Sequence, residues 1–180
     1  MELVKAIEER RSIRKYEEKD ISDDILLELI RCATLAPSGH NRQPWKFQIV
    51  RGELKNKIAD TLYQKTKDIE GSTAPHTSGI ITETPVLLVV YLTEEMSENY
   101  LYDILSIGGA IENILLRATD LGLGSLWIGN TSLIEPELKE ILNTDLRVIS
   151  TIAIGYKAQS PHARPRKKLE EVIFSEKANN

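Results

Sequence analysis

Residues 86–91, Val-Leu-Leu-Val-Val-Tyr, are apolar at every position, so an extended chain through them turns oily side chains to both of its faces. Only a strand covered from above and below tolerates that pattern. The run therefore calls for a sheet with this strand inside it and helices packed on it. The best cover is 97–121, where Leu101, Ile104, Leu105, Ile111, Ile114, Leu115 and Ala118 recur at helical spacing around Gly108, Gly109 and Ala110. Two glycines in mid-helix weaken it by roughly 1 kcal/mol each relative to alanine, and a tight contact with another helix or a ligand is the expected compensation.

The other elements follow from local signals. Residues 2–9 place Leu3, Val4 and Ile7 on one helical face. Ser22 reads as the N-cap of a second helix, with Asp23 and Asp24 in its first turn and Leu26, Leu29, Ile30 and Ala33 inward; it stops before Pro37. Residues 37–44 are loop-like, and 46–50 alternate as a strand with Phe47 and Ile49 on one side. A charged helix is expected over 53–67 and a mobile loop of small and polar residues over 71–79. Gly122 and Gly124 close the long helix, and 126–128 begin another extended piece. Pro136 suits the first turn of a short helix ending near Leu142, and 147–154 finish the sheet. With no repeat or linker, residues 1–180 read as one domain, ending in an extended arm from about 157 onward.

Composition narrows the function. A chain that is 41% hydrophobic and 28% charged is an ordinary globular one. Its net charge of -4 argues against a nucleic-acid binder, and no apolar run approaches the roughly 20 residues that cross a bilayer. Glu2, Lys5, Glu8 and Glu9 break up the first residues, which do not read as a signal segment, and the single cysteine, Cys32, fits a packed thiol; cytoplasm is the expected address. His40, His76 and His162 are too far apart for a metal site. There is no phosphate loop, Gly122-Leu123-Gly124 lacks the rest of a dinucleotide fingerprint, and neither Ser38 nor Ser125 sits in a nucleophile elbow.

What remains points to a small anion and a planar ligand. Basic residues gather at 10–15 and again at 164–168, almost the whole chain apart. Arg10-Arg11-Ser12-Ile13-Arg14 alternates guanidinium and hydroxyl donors, an arrangement suited to a phosphate. In Pro37-Ser38-Gly39-His40-Asn41-Arg42-Gln43-Pro44-Trp45, Gly39 admits a close backbone, while Asn41 and Gln43 carry donor-acceptor edges that suit either the loop's own backbone or a heterocycle.

These residues resemble the FMN-dependent nitroreductase family. The likeness runs in order through Arg10 to Arg14, Ala36 to Gly39 and Asn41 to Trp45. It continues through Gly108-Gly109-Ala110-Ile111-Glu112-Asn113-Ile114-Leu115-Leu116, Gly122-Leu123-Gly124-Ser125-Leu126-Trp127-Ile128-Gly129, Gly155-Tyr156 and Arg164-Pro165-Arg166-Lys167-Lys168-Leu169-Glu170. Glu112 stands where glutamine is usual and Lys168 where many relatives have proline, and the chain is short for the family.

The resemblance implies an α+β fold with a mixed, mainly antiparallel sheet flanked by helices, in an intertwined homodimer holding FMN at its interface. It implies that Arg10, Arg11, Ser12 and Arg14, with Arg164 and Arg166 from the tail, hold the flavin's phosphate and ribityl chain. Pro37, Ser38, Gly39, Asn41 and Gln43 would approach from the partner subunit, and Trp127, Ile128 and Gly129 would face the ring. Residues in the 50–105 region that touch the flavin pyrimidine stay unassigned. The implied reaction is ping-pong hydride transfer from NADH or NADPH to a small electron-poor acceptor, a nitroaromatic or a quinone. The flavin carries the chemistry, so no catalytic side chain and no metal is expected. His40 and the 71–79 loop are candidates for the substrate entrance. The same scaffold also serves reductive dehalogenation, alkene reduction and azoline dehydrogenation, or binds flavin without turnover.

Overall fold

The computed structural model of the protein describes residues 1–93 and 98–174. Strand β2 (Val86–Leu92) is buried along its whole length, inside a four-stranded sheet of order β1-β2-β4-β3. Its companions are β1 (Trp45–Val50), β3 (Leu123–Ile128) and β4 (Arg147–Tyr156), and the pairings between them are all antiparallel. A parallel component enters as an isolated bridge between Ser12 and Ser125.

The alternation along β2 splits the core into two layers. Leu87, Val89 and Tyr91 pack with Ile58 and Leu62 of α3 (Gly52–Thr66), Ile81 of α4 (Ala74–Glu83) and Leu138 of α6 (Glu135–Leu142). Val86, Leu88, Val90 and Leu92 pack with Leu26 and Leu29 of α2 (Asp23–Thr34) and with Ile107, Ile111 and Ile114 of α5 (Tyr100–Asp120). A fully buried side chain of this size contributes roughly 1.5–3 kcal/mol, so the two-sided strand is the main fixture of the fold. Among the described residues no helix is long and apolar enough to cross a membrane.

Several expectations need correction. The predicted loop over 71–79 is instead largely helix α4: Pro75 sits in its first turn, and Thr77 and Ser78 return their hydroxyls to the carbonyls of Thr73 and Pro75, so these polar residues are buried without loss. Gly122, with φ +76°, does end α5, but Gly124 lies within β3. Around Gly108 and Gly109 the chain itself offers no tight contact: a Cβ would stand 3.8 Å from the Trp127 ring in one case and 3.8 Å from the Ala36 Cβ in the other. Ser22 occupies the N-cap position of α2 without a side-chain hydrogen bond, and the predicted start of α5 at Ser97 lies outside the described residues. The tail is irregular from 158 to 168 and then forms the short helix α7 (Leu169–Val172) rather than staying extended. On α1 (Leu3–Glu9) the face of Leu3, Val4 and Ile7 is exposed, with only Ala6 buried, and Leu101 and Leu105 of α5 are exposed as well.

The close approaches occur elsewhere, where residues 12–17 cross the ends of β3 and β4. Ile13 N donates to Ser125 O (2.9 Å), Glu17 N to Tyr156 O (2.9 Å) and Ala158 N to Lys15 O (3.0 Å). Ile13 lies over Gly124 and Tyr16 over Gly155, at distances that leave no room for a Cβ on either glycine. The Tyr16 hydroxyl donates to Ile13 O (2.7 Å), and burial pushes its pKa up. This stitching joins the residues after α1 to the beginning of the tail.

Candidate functional site

Because 15–17 pair with 156–158, the two basic clusters meet. Arg10, Arg11, Ser12 and Arg14 share a cavity of about 270 Å³ with Pro161, His162, Arg164 and Arg166. No carboxylate of the described residues lines it. Arg10 reaches Glu112 of α5 at 3.4 Å, but Arg11, Arg14, Arg164 and Arg166 make no ion pair among the described residues. Arg11 donates to the carbonyls of Glu8 (2.5 Å) and Arg10 (2.8 Å), which aims it without neutralising it. Four uncompensated guanidinium groups in one concavity make a site for a multiply charged anion. His162 also lines this cavity; the sequence, read for metal spacing, gave no sign of it.

A groove of about 290 Å³ begins at Arg14, which lines both spaces, and runs past Trp127, Ile128 and Gly129 at the end of β3. Trp127 is 45% exposed, and at Gly129 a Cβ would meet nothing within 4 Å, so the strand end leaves the groove open. The opposite wall is the first turn of α4, with Thr73, His76 and Thr77. Asn130 ties the walls together, its Nδ2 donating to Thr73 Oγ1 (3.2 Å) and Thr77 Oγ1 (3.0 Å). Thr73, His76 and Thr77 fall in the 71–79 stretch expected at the substrate entrance, though as part of a helix rather than a loop, whereas Asn130, in a short turn after β3, carried no signal in the sequence. Lys55, buried on α3, donates to the carbonyls of Ile81 (2.8 Å) and Thr82 (2.6 Å) and so caps the far end of the same helix; burial lowers its pKa.

The loop 37–43 lines neither space. Pro37, Ser38, Gly39 and His40 border a third cavity, of about 510 Å³, together with Arg42 and with Tyr102, Leu105 and Ser106 of α5. His40, Asn41 and Gln43 have φ of 51°, 56° and 50°, three of the four left-handed non-glycine residues found among those described. Each such residue costs roughly 1–2 kcal/mol, so the turn is strained as well as exposed. Asn41 and Gln43 make no side-chain hydrogen bond among the described residues, which leaves both carboxamides available and removes the reading in which they merely satisfy the loop. The turn is held by Arg42, whose Nε and Nη2 both donate to Oδ1 of Asp103 on α5 (3.1 and 2.8 Å). Asp103 is 2% exposed. Neither partner stood out in the sequence, where 60 residues separate them.

Cys32 lies on α2 beside Glu28, and burial, ahead of the nearby carboxylate, raises its thiol pKa. It is a packed, protonated thiol.

Known proteins resemble this chain in sequence and in fold. The sequence profile of the nitroreductase family matches residues 7–156. A protein of Archaeoglobus fulgidus, provisionally named NADH dehydrogenase/NAD(P)H nitroreductase, is 35% identical over 162 residues, covering 86% of this chain and 85% of the relative. An iodotyrosine deiodinase of Thermotoga neapolitana is 27% identical over 175 residues, covering 89% and 91%. The crystal structure of a provisionally named nitroreductase from Desulfovibrio desulfuricans, in complex with FMN, superposes with a TM-score of 0.82 at 30% identity, covering 98% of each chain.

Proposed function

Since this chain belongs to the nitroreductase family, we propose that it is an FMN-dependent oxidoreductase that takes electrons from NADH or NADPH and reduces a small electron-poor acceptor, such as a nitroaromatic or a quinone, in ping-pong order. The observation that carries this reading is the convergence of Arg10, Arg11, Arg14, Arg164 and Arg166 on a single cavity that no carboxylate of the described residues lines. The donor set fits FMN. A phosphate monoester supplies the counter-charge that the four unpaired guanidinium groups lack, and the groove that starts at Arg14 offers an aromatic and backbone-lined space beside it.

Arg10, Ser12, Arg14, Arg164 and Arg166 would hold the phosphate and ribityl end. Trp127, Ile128 and Gly129 would lie along the ring, and Thr73, His76 and Asn130 would supply hydrogen-bonding groups to its pyrimidine edge, the contacts that motif matching leaves open. Bound FMN supplies the redox step, accepting a hydride from the nicotinamide and passing reducing equivalents to the acceptor. The protein's part is orientation and charge: the arginines fix the anionic end, Asn130 keeps the two groove walls at one spacing, and Arg14 places a cation where phosphate site and groove meet.

Residues 1–180 form one FMN-binding domain in this reading, with a C-terminal arm from about 157. Two copies associate through the exposed apolar faces of α1 and α5, and each turns its loop 37–43 toward the ligand of the other. Pro37, Ser38, Gly39, Asn41 and Gln43 thus belong to the partner's site, and His40 stands at its entrance. A cytoplasmic setting suits a protein whose one thiol stays reduced. A second reading, reductive dehalogenation on the same site, has the iodotyrosine deiodinase relative in its favour.

The test begins with absorbance. The protein as isolated should be yellow, release FMN on denaturation and oxidise NAD(P)H only with an acceptor present. Arg14→Glu combined with Arg166→Glu, which breaks no ion pair seen among the described residues, should leave a folded, colourless protein. Retention of the chromophore by that variant would sink the proposal. Turnover of a halogenated phenol in place of nitroaromatics and quinones would move it to the second reading.

A further inference from the structure

Resting on the proposal that loop 37–43 of one protomer faces the ligand of the other, we infer that Arg42 and Asp103 are a positioning pair. Together they hold the left-handed turn in the shape that presents its residues to the substrates, and they set the charge that the substrates meet.

Asn41 N donates to Ser38 O (2.9 Å), Arg42 N to Gly39 O (3.1 Å) and Gln43 N to Ser38 Oγ (3.0 Å). All three bonds lie inside the turn, and they would survive if it swung as a unit. Among the described residues, the hydrogen bonds that leave residues 38–43 for another element are the two from Arg42 to Asp103. Arg42 sits between left-handed Asn41 and left-handed Gln43, at the point where the strain has to be resisted. Asp103 cannot release it, because a carboxylate 2% exposed would be left without its counter-ion.

Gly39 supplies a second line. A Cβ there would stand 3.0 Å from Arg42 Nη2 and 3.3 Å from Nη1, so the backbone of the turn rests directly on the guanidinium. The fork is thus gripped from both sides, by a buried carboxylate and by a residue with no side chain.

Arg42 borders the cavity of about 510 Å³, yet Asp103 cancels it, and the other walls include the Tyr102 ring and Leu105. Such a space favours a flat, uncharged acceptor over an anionic one.

Arg42→Lys keeps the charge and loses the fork. In the FMN-loaded protein, amide exchange at 41–43 should quicken about tenfold while that at 46–50 is unchanged. KM for nitrobenzene should rise about tenfold, with FMN content and kcat nearly constant. Gly39→Ala, which pushes on the guanidinium without removing it, should quicken exchange at 41–43 likewise and serves for that readout alone if the lysine variant folds poorly. Asp103→Asn uncovers the cation, and the ratio of kcat/KM for 4-nitrobenzoate to that for nitrobenzene should rise at least about threefold, a change that a purely structural role would not give. Unaltered exchange at 41–43, or faster exchange with unaltered KM, overturns the inference. Absence of flavin and of NAD(P)H oxidation in the unmutated protein would instead defeat the functional proposal, and the exchange rates would still decide whether the pair holds the turn.

Discussion

Tyr16 lies so close over Gly155 that a Cβ on the glycine would stand 2.6 Å from the ring's Cδ1 and 2.8 Å from Pro85 Cδ. Ile13 over Gly124 is nearly as tight, at 2.7 Å from its Cγ2 and 2.9 Å from its Cβ. Neither neighbour is the tip of a long side chain that could step aside. Gly155→Ala and Gly124→Ala should each destabilise the protein by about 1–3 kcal/mol, a fall in Tm of several degrees, and loosen FMN because the arginine segment is carried by the same stitch. Thermal denaturation with flavin fluorescence checks both, and an alanine variant as stable as the parent would mean that the crossing is looser than described.

The arginine cavity makes FMN affinity depend on ionic strength. Raising NaCl from 50 to 500 mM should weaken FMN binding several-fold, while riboflavin, without the phosphate, should bind on the order of 10–100-fold more weakly and with little salt dependence. Titration by flavin fluorescence quenching distinguishes the two. Equal affinities would place the anion site elsewhere.

Leu101, Tyr102 and Leu105 at the start of α5 are exposed, as are Leu3, Val4 and Ile7 on α1, which lies against the far end of the same helix; exposed apolar side chains of this kind suit cover by a second copy. Leu105→Glu should shift sedimentation from dimer to monomer and lower flavin content in parallel, since part of each proposed site comes from the partner. A monomeric parent protein, or a flavin-loaded monomeric variant, would contradict the shared site.

Acid stability should follow Glu28. Hydrogen bonds from Arg31 to its carboxylate (2.7 and 3.0 Å) are the main cause holding its pKa down at about 2, against an ordinary 4.5, with Arg117 assisting at 3.3 Å. Between those values the unfolded chain binds the proton and the folded one does not. The stabilisation is therefore present above pH 4.5 and lost as pH falls toward 2. Asp120 and Glu137 are shifted in the same direction, by the N-terminal ammonium and by Lys65. Urea midpoints should drop across this window, and Glu28→Gln should flatten the drop.

Some of this was legible in the chain and some was not, for identifiable reasons. Two-sided burial of β2 shows directly in residues 86–91, because no other arrangement accepts six apolar neighbours in a strand. The basic clusters were visible as clusters, yet their meeting was implied only by family resemblance; its cause, the pairing of 15–17 with 156–158, has no local signal. Helix α4 was hidden because its inward face uses Thr77 and Ser78, whose hydroxyls are satisfied within the helix and so carry no penalty that a hydrophobic pattern registers. Gly124 misled for the converse reason: beside Gly122 it reads as helix-ending, whereas what demands glycine there is Ile13, more than a hundred residues earlier. Arg42 and Asp103 each look like ordinary surface charges until folding buries one of them.

The stitch between residues 15–17 and 156–158 has a consequence for biosynthesis. Arg10 to Arg14 emerge from the ribosome long before Arg164 and Arg166, whose guanidinium groups complete their cavity, and Lys157 must be in place before Tyr16 can bridge to it. A nascent chain has, until then, only half an anion trap. Acquisition of the prosthetic group would then mark the moment when both segments have been made and have closed on each other, which makes colour a readout of closed cavities rather than of chains that stop short of Arg166.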